Sequence, residues 1–266
     1  MYNLIVNILI RPWLFTLFFF GLYGATQASK LSIKYKRPNS DRYLEIFRAL
    51  KSNHNSIYGE STDYLKSVYR WPDKIEVMVT TCDALNSSYT PDAKQIVICY
   101  ESLYQKINDY PENTNSDEAY ERRVFQNVMF TFWHEIGHAL MDQYGMCEGR
   151  NVKSLEMLAD EFAILSMLWR EEDYWKGIVM ISALHYKSKS ERMQGKNYES
   201  HPSDELRYQK MIVLLYGFAQ KSYAKLKTEV DQLVWLDQSA HEYYLGRSAF
   251  WEENLRNHTR SDFFNY

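Results

Sequence analysis

The chain has 266 residues, 45% of them hydrophobic and 24% charged, which is ordinary for a globular protein with a sizeable core. Its formal net charge is -3, and no basic block stands out along the sequence. The charge therefore offers no electrostatic basis for binding nucleic acid.

The N-terminal segment has the layout of a secretory signal peptide. One basic residue, Arg11, precedes the apolar run from Trp13 to Tyr23, and small residues follow up to Ala28. We therefore expect residues 1–28 to be removed on export, which places the mature protein in the periplasm or outside the cell. The alternative is a retained membrane anchor, because the stretch from Leu4 to Leu9 is also apolar.

After the N-terminal segment, a polar stretch precedes the first predicted helix. Residues 29–40 are polar and are expected to form a poorly ordered lead. Apolar residues at helical spacing predict a helix from Asp41 to Ser52. We expect residues 41–266 to form a single domain.

Two strands are predicted after this helix. The segment from Lys74 to Thr81 alternates apolar and polar residues, and a second strand runs through Ile96 to Ile98 after a turn at Pro91-Asp92. Cys82 and Cys99 flank what this pattern indicates is a hairpin. A disulfide between them is expected in an oxidising compartment.

The rest of the sequence is predicted to be a helical body, since apolar residues recur there at helical spacing. Helices are predicted over Glu101–Tyr110, Ala119–Tyr144, Lys153–Arg170 and Ser203–Phe218, with more helix up to Glu253. Gly145 is a natural C-terminal stop for the second of these helices. The fold class is therefore α+β, with a small N-terminal β-element followed by a mainly helical body.

The second of these predicted helices, Ala119–Tyr144, carries the pattern H-E-x-x-H. His134 and His138 are four residues apart, so both imidazoles project from one helix face and can bind a single metal ion. Glu135 is placed to act as a general base toward a metal-activated water, as in metalloproteases. Gly137 costs a helix about 1 kcal/mol relative to alanine, so we expect another chain segment to pass close to it.

A catalytic zinc site needs a third protein ligand. Glu156 and Asp160 are again four apart on one predicted helix face. We expect Glu156 to be the ligand and Asp160 to hydrogen-bond the imidazole of His134 and so fix its tautomer. The alternative is that Asp160 is itself the third ligand.

The order H-E-x-x-H followed by E-x-x-x-D resembles the gluzincin metallopeptidases, the group that includes thermolysin and neprilysin. The stretch Asn86-Ser87-Ser88-Tyr89 is similar to the edge strand with which gluzincins hold the substrate backbone. Ser87 and Ser88 stand where that motif has alanine and an aromatic residue. The resemblance implies that these four residues bind an extended peptide by β-augmentation.

A further pair lies downstream of the expected ligands. His201 and Arg207 have the spacing of a histidine and an arginine in neprilysin-like enzymes. The resemblance implies that they stabilise the developing oxyanion and orient a substrate carbonyl.

From about Tyr64 to Trp251 the chain is similar to a bacterial metallopeptidase family catalogued as a domain of unknown function. The features that carry this similarity are Cys82, Asn86, Tyr89, Pro91, "CYE" at Cys99 to Glu101, "HEIGHAL", Glu156 with "AD", His201, Asp204, Arg207 and "YG" at Tyr216-Gly217. The resemblance implies a zincin-like catalytic domain.

The functional hypothesis is therefore an exported zinc metallopeptidase that hydrolyses peptides or proteins with one Zn²⁺ ion. The alternative is a non-catalytic protein that holds a peptide or a cell-wall fragment on a zincin scaffold. Cleavage of unfolded protein that a zinc chelator blocks distinguishes the two.

Overall fold

The computed structural model describes residues 30–52, 57–82, 86–108, 117–170, 173–192 and 202–260. The strands are β1 Leu31–Tyr35, β2 Ile75–Thr80, β3 Ser88–Thr90 and β4 Gln95–Cys99. The helices are α1 Leu44–Ser52, α2 Ile57–Val68, α3 Tyr100–Asn108, α4 Asp117–Gln143, α5 Val152–Leu168, α6 Asp173–Arg192, α7 Asp204–Phe218, α8 Lys227–Asp231 and α9 Ala240–Leu255. The predicted α+β class is confirmed, and the chain divides into two compact units, Met1–Phe125 and Gln126–Tyr266.

The first unit contains a four-stranded sheet in the order β1-β2-β4-β3. The strands β1, β2 and β4 are parallel to one another, and β3 pairs antiparallel with β4. In β2 the residues Ile75, Val77 and Val79 are fully buried and alternate with half-buried residues, as the period-two pattern predicts.

The predicted hairpin is wrong in its pairing. The two predicted strands, β2 and β4, are parallel neighbours, and the turn at Pro91 joins β3 to β4 instead. Alternation reports which face of a strand is buried but not which strand lies beside it, and β3 has only three residues. The predicted disulfide between Cys82 and Cys99 is present, because the carboxyl ends of two parallel strands meet at one edge of the sheet.

The expected polar lead is also wrong where the structure describes it. Leu31–Tyr35 forms the edge strand β1, with Leu31 fully buried and in register with Ile75. The segment is ordered by pairing with a strand more than forty residues away in sequence, which its own polar composition does not reveal. Residues 1–28, the expected signal peptide, lie outside the described residues.

The second unit is helical, and the predicted helices in it are confirmed. Asn151 caps α5 and Ser203 caps α7, each accepting a hydrogen bond from a backbone N–H in the first turn. At the end of α4, Gly145 has a positive φ of 70°, and Met146 N–H donates to the carbonyl of Met141, which together form a Schellman-type stop. In the described part of the chain, no helix is both long enough and apolar enough to cross a membrane.

Candidate metal centre

The two histidines of α4 lie side by side on one face of that helix. His134 is buried and His138 is half-buried, and their ring centroids are 4.7 Å apart with the rings nearly perpendicular. The Nε2 atoms of the two rings approach to 3.2 Å. One turn of helix therefore directs both nitrogens to the same point, as the four-residue spacing predicts.

Glu156 of α5 faces both rings. Its Oε2 lies 3.3 Å from His134 Nε2, and its Oε1 lies 3.2 Å from His138 Nε2. One ligand atom from each of the three side chains lies within 4.8 Å of the other two. Two imidazole nitrogens and one carboxylate oxygen are a donor set that suits a divalent metal with an open position for water.

Gly137 allows α5 to come this close to α4. A Cβ atom at Gly137 would lie 3.1 Å from Ala159 Cα and 3.2 Å from the carbonyl oxygen of Ala159. The absence of a side chain thus lets the two backbones meet between the histidines and Glu156. The predicted close approach of another segment to Gly137 is confirmed.

Asp160 contacts the other nitrogen of His134. Nδ1 of His134 donates to Asp160 Oδ1 at 2.8 Å, which leaves Nε2 on the side of Glu156 and His138. Asp160 is only 2% exposed. A buried carboxylate in this position holds the ring in one orientation and selects the tautomer with its lone pair on Nε2.

Arg207 of α7 is directed at Asp160. Its Nε donates to Asp160 Oδ2 at 2.6 Å and its Nη2 donates to Asp160 Oδ1 at 2.5 Å, a bidentate contact. The guanidinium carbon Cζ of Arg207 lies over the ring of Tyr186, 4.2 Å from the ring centroid. Two of its nitrogens thus bond to Asp160, and the expectation that Arg207 orients a substrate carbonyl stays a prediction.

A family model described as "Putative metallopeptidase" matches residues 35–255, most of the chain. The chain belongs to this metallopeptidase family. Membership implies a metal ion and a peptide or protein substrate, and the cluster of His134, His138 and Glu156 is a site that could hold the ion. Neither the curated proteins nor the solved structures provide a match.

The electrostatics of this candidate metal centre favour a cation. Burial opposes the charge on Glu156, but hydrogen bonds from His134 and His138 outweigh it and hold the pKa of Glu156 well below its ordinary value. Burial likewise opposes the charge on Asp160, and the nearby Arg207 and His134 lower its pKa nonetheless. Both carboxylates are therefore ionised at neutral pH.

His134 responds to the same two acids. Burial lowers its pKa, but the hydrogen bonds with Asp160 and Glu156 more than compensate and raise it to about 9. A cation that binds at Nε2 must displace the proton from that atom, so metal binding is coupled to proton release.

The remaining predicted site residues fall into three groups. Glu135 is 5% exposed and follows His134 on α4. Ser88 and Tyr89 lie in the edge strand β3 of the first unit, and Asn86 and Ser87 directly precede it. His201 lies outside the described residues.

Sequence reasoning missed Tyr186. It lies in α6, a helix that was not predicted, and one aromatic residue among the chain's 22 tyrosines carries no motif. Its ring is placed against Arg207 only by the packing of α6 on α7.

Proposed function

We propose that the protein is a zinc-dependent peptidase of gluzincin type with a zincin-like fold. The observation that carries the proposal is the convergence of His134 Nε2, His138 Nε2 and a Glu156 carboxylate oxygen within 4.8 Å. These three side chains would hold one Zn²⁺ ion. When bound, the ion would supply Lewis acidity and a lowered pKa for water.

In this proposal Glu135 moves the proton. Its carboxylate accepts a proton from the attacking water and then delivers it to the nitrogen of the leaving amine. The position of Glu135 supports the role, because it directly follows the candidate ligand His134 on α4.

In this proposal Asp160 and Arg207 orient the centre. Asp160 fixes the ring of His134 through Nδ1, and the two N–H groups of Arg207 fix Asp160. Asp160 on α5 thus accepts hydrogen bonds from two other helices, from His134 on α4 and from Arg207 on α7. These contacts keep Nε2 of His134 directed at Glu156. His201 remains the candidate donor to the oxyanion.

The edge strand β3 is the proposed substrate site of the first unit. It pairs with β4 on one side, and among the described strands nothing pairs with its other side. An extended peptide added there would form main-chain hydrogen bonds, with Asn86, Ser87, Ser88 and Tyr89 along its path.

Export is part of the proposal, supported by the signal-like N-terminus and by the disulfide between Cys82 and Cys99.

The test is proteolysis of a chemically unfolded protein by the purified mature chain. We expect cleavage that a zinc chelator stops and that added Zn²⁺ restores. The variant Glu135→Gln should keep stoichiometric zinc but lose at least about 10³-fold in kcat, and Glu148→Gln, an exposed acid in the turn after α4, is the matched control. Full activity of Glu135→Gln would contradict the mechanism, and zinc binding without any cleavage by the wild type would favour the non-catalytic binding protein.

A further inference from the structure

Tyr186 and Asp160 hold the guanidinium of Arg207 in two different ways. Asp160 accepts hydrogen bonds from Nε and Nη2, and Cζ lies over the ring of Tyr186, 4.2 Å from the ring centroid. The two contacts use different parts of the guanidinium and are satisfied together in one orientation. An aromatic face attracts a cation most strongly where water is excluded, and Arg207 is buried.

A second contact of the Tyr186 ring is with α4, the helix that carries the two histidines. Phe130 on α4 packs edge to face with Tyr186, with ring centroids 6.3 Å apart and an interplanar angle of 74°. Phe130 is four residues before His134, so it lies on the same face of α4 one turn earlier. Tyr186 on α6 therefore contacts both α7, through Arg207, and α4, through Phe130.

We propose that Tyr186 is a positioning residue for the metal centre. Its ring holds Arg207 in the orientation that grips Asp160, and Asp160 in turn presents Nε2 of His134 to the metal. The inference rests on the proposed metal site and adds to it a residue that touches neither metal nor substrate. Without the ring, the long side chain of Arg207 has more orientations available, and fewer of them serve Asp160.

The ring, not the hydroxyl, carries this role. In the part of the chain that the structure describes, no hydrogen bond to the Tyr186 hydroxyl is present, whereas the contacts with Arg207 and Phe130 are both made by the aromatic ring. A phenylalanine at this position keeps the ring, and a leucine removes it but leaves a smaller apolar side chain. The pair of substitutions separates the two parts of the side chain.

The experiment measures the affinity of the purified mature chain for Zn²⁺ and Co²⁺ by competition with a chelating dye, together with the visible absorption of the Co²⁺ form. We expect Tyr186→Phe to bind metal with an affinity within about twofold of the wild type and Tyr186→Leu to bind about three- to tenfold more weakly. The expected loss is smaller than for a residue that contacts a metal ligand directly, because Tyr186 acts through Arg207 and Asp160. Tyr243→Leu is the matched control, because Tyr243 likewise contacts a cation, that of Lys210, and within the described residues it makes no contact with Asp160 or Arg207. We expect it to leave metal affinity unchanged even where it lowers the melting temperature.

A second arm tests whether Tyr186 acts through Arg207. Arg207→Lys keeps the charge but loses the planar fork, so Tyr186→Leu should cause no further loss of affinity in that background. Equal affinities of the wild type and Tyr186→Leu would overturn the inference alone, as would equal losses in Tyr186→Phe and Tyr186→Leu or additive losses with Arg207→Lys. Failure of the wild type to bind either metal would overturn the proposed function and the inference with it.

Discussion

Gly137 of α4 and Ala159 of α5 meet backbone to backbone, with only 3.1 Å between the position of a Cβ on Gly137 and Ala159 Cα. Gly137 directly precedes His138, and Ala159 directly precedes Asp160. The contact therefore lies in the middle of the candidate metal centre, and the separation of the two helices at this point decides whether Glu156 reaches both histidines.

Gly137→Ala should weaken metal binding more than it weakens the fold. A methyl group there pushes the backbone of α5 away by a few tenths of an ångström, while alanine gains about 1 kcal/mol of helix propensity that offsets part of the overpacking. Since metal–ligand distances tolerate only about 0.2 Å, we expect the affinity for zinc to fall at least about tenfold. Dye competition and urea denaturation measure the two effects. Gly246→Ala, in an open position on α9, is the control and should leave affinity unchanged.

Glu156→Ala and Asp160→Ala should rank in a fixed order. The two carboxylate oxygens of Glu156 lie next to the Nε2 atoms of the two histidines, whereas Asp160 contacts Nδ1 of His134. We therefore expect Glu156→Ala to abolish stoichiometric zinc binding and Asp160→Ala to weaken it about 10- to 100-fold. Equilibrium dialysis with metal analysis decides between them. The reverse order would make Asp160 the third ligand.

Arg207→Met should destabilise the chain through Asp160. The substitution leaves a carboxylate that is 2% exposed without its bidentate partner, which costs about 3–5 kcal/mol in the free energy of unfolding. Adding Asp160→Asn should recover part of this loss, because a neutral amide needs no counter-charge. Urea denaturation in the presence of a chelator measures both variants. Arg256→Met removes an exposed ion pair and should cost less than about 1 kcal/mol, so equal losses at the two arginines would contradict the assignment.

Removal of the disulfide between Cys82 and Cys99 should lower the free energy of unfolding. Cys82 and Cys99 are 17 residues apart in sequence, and a loop of that size contributes about 3 kcal/mol by restricting the unfolded chain. The double serine variant should therefore unfold at lower urea than the wild type and lose the wild type's response to a reducing agent. Cys147→Ser, which removes the free cysteine, is the control. An unchanged urea midpoint in the double variant would show that the disulfide contributes nothing.

Glu161 should make stability depend on pH. It accepts hydrogen bonds from Arg247 and Trp251, but burial outweighs them and raises its pKa above the ordinary 4.5. A raised pKa means that the folded chain binds the proton more readily than the unfolded chain. Stability from this group is then complete below pH 4.5 and is lost as pH rises from 4.5 through the raised pKa.

The measurement is the difference in unfolding free energy between the wild type and Glu161→Gln, in chelator, at several values between about pH 4 and pH 7. We expect the wild type to lose stability relative to the variant as pH rises across that interval. A difference that stays constant would show that the pKa of Glu161 is not raised by folding.

The local part of the candidate centre could be predicted from the sequence. A helical repeat of 3.6 residues places His134 beside His138 and Glu156 on the same face as Asp160 without any knowledge of the fold. The isolated glycine in α4 likewise indicated a close approach, since helix propensity disfavours it otherwise. Burial along β2 followed from alternation in the same way.

Only the tertiary structure decided which strands pair and which side chains contact one another. The strands β2 and β4 pair in parallel, which the alternation of residues in each strand does not reveal. Arg207 contacts Asp160, which lies 47 positions away in sequence, and the spacing of Arg207 from His201 did not indicate this contact. Tyr186 lies under Arg207 for the same kind of reason. Periodicity specifies the face that a helix or strand buries, because that depends on neighbours in sequence. The residue that meets that face depends on the packing of separate elements, which no local pattern encodes.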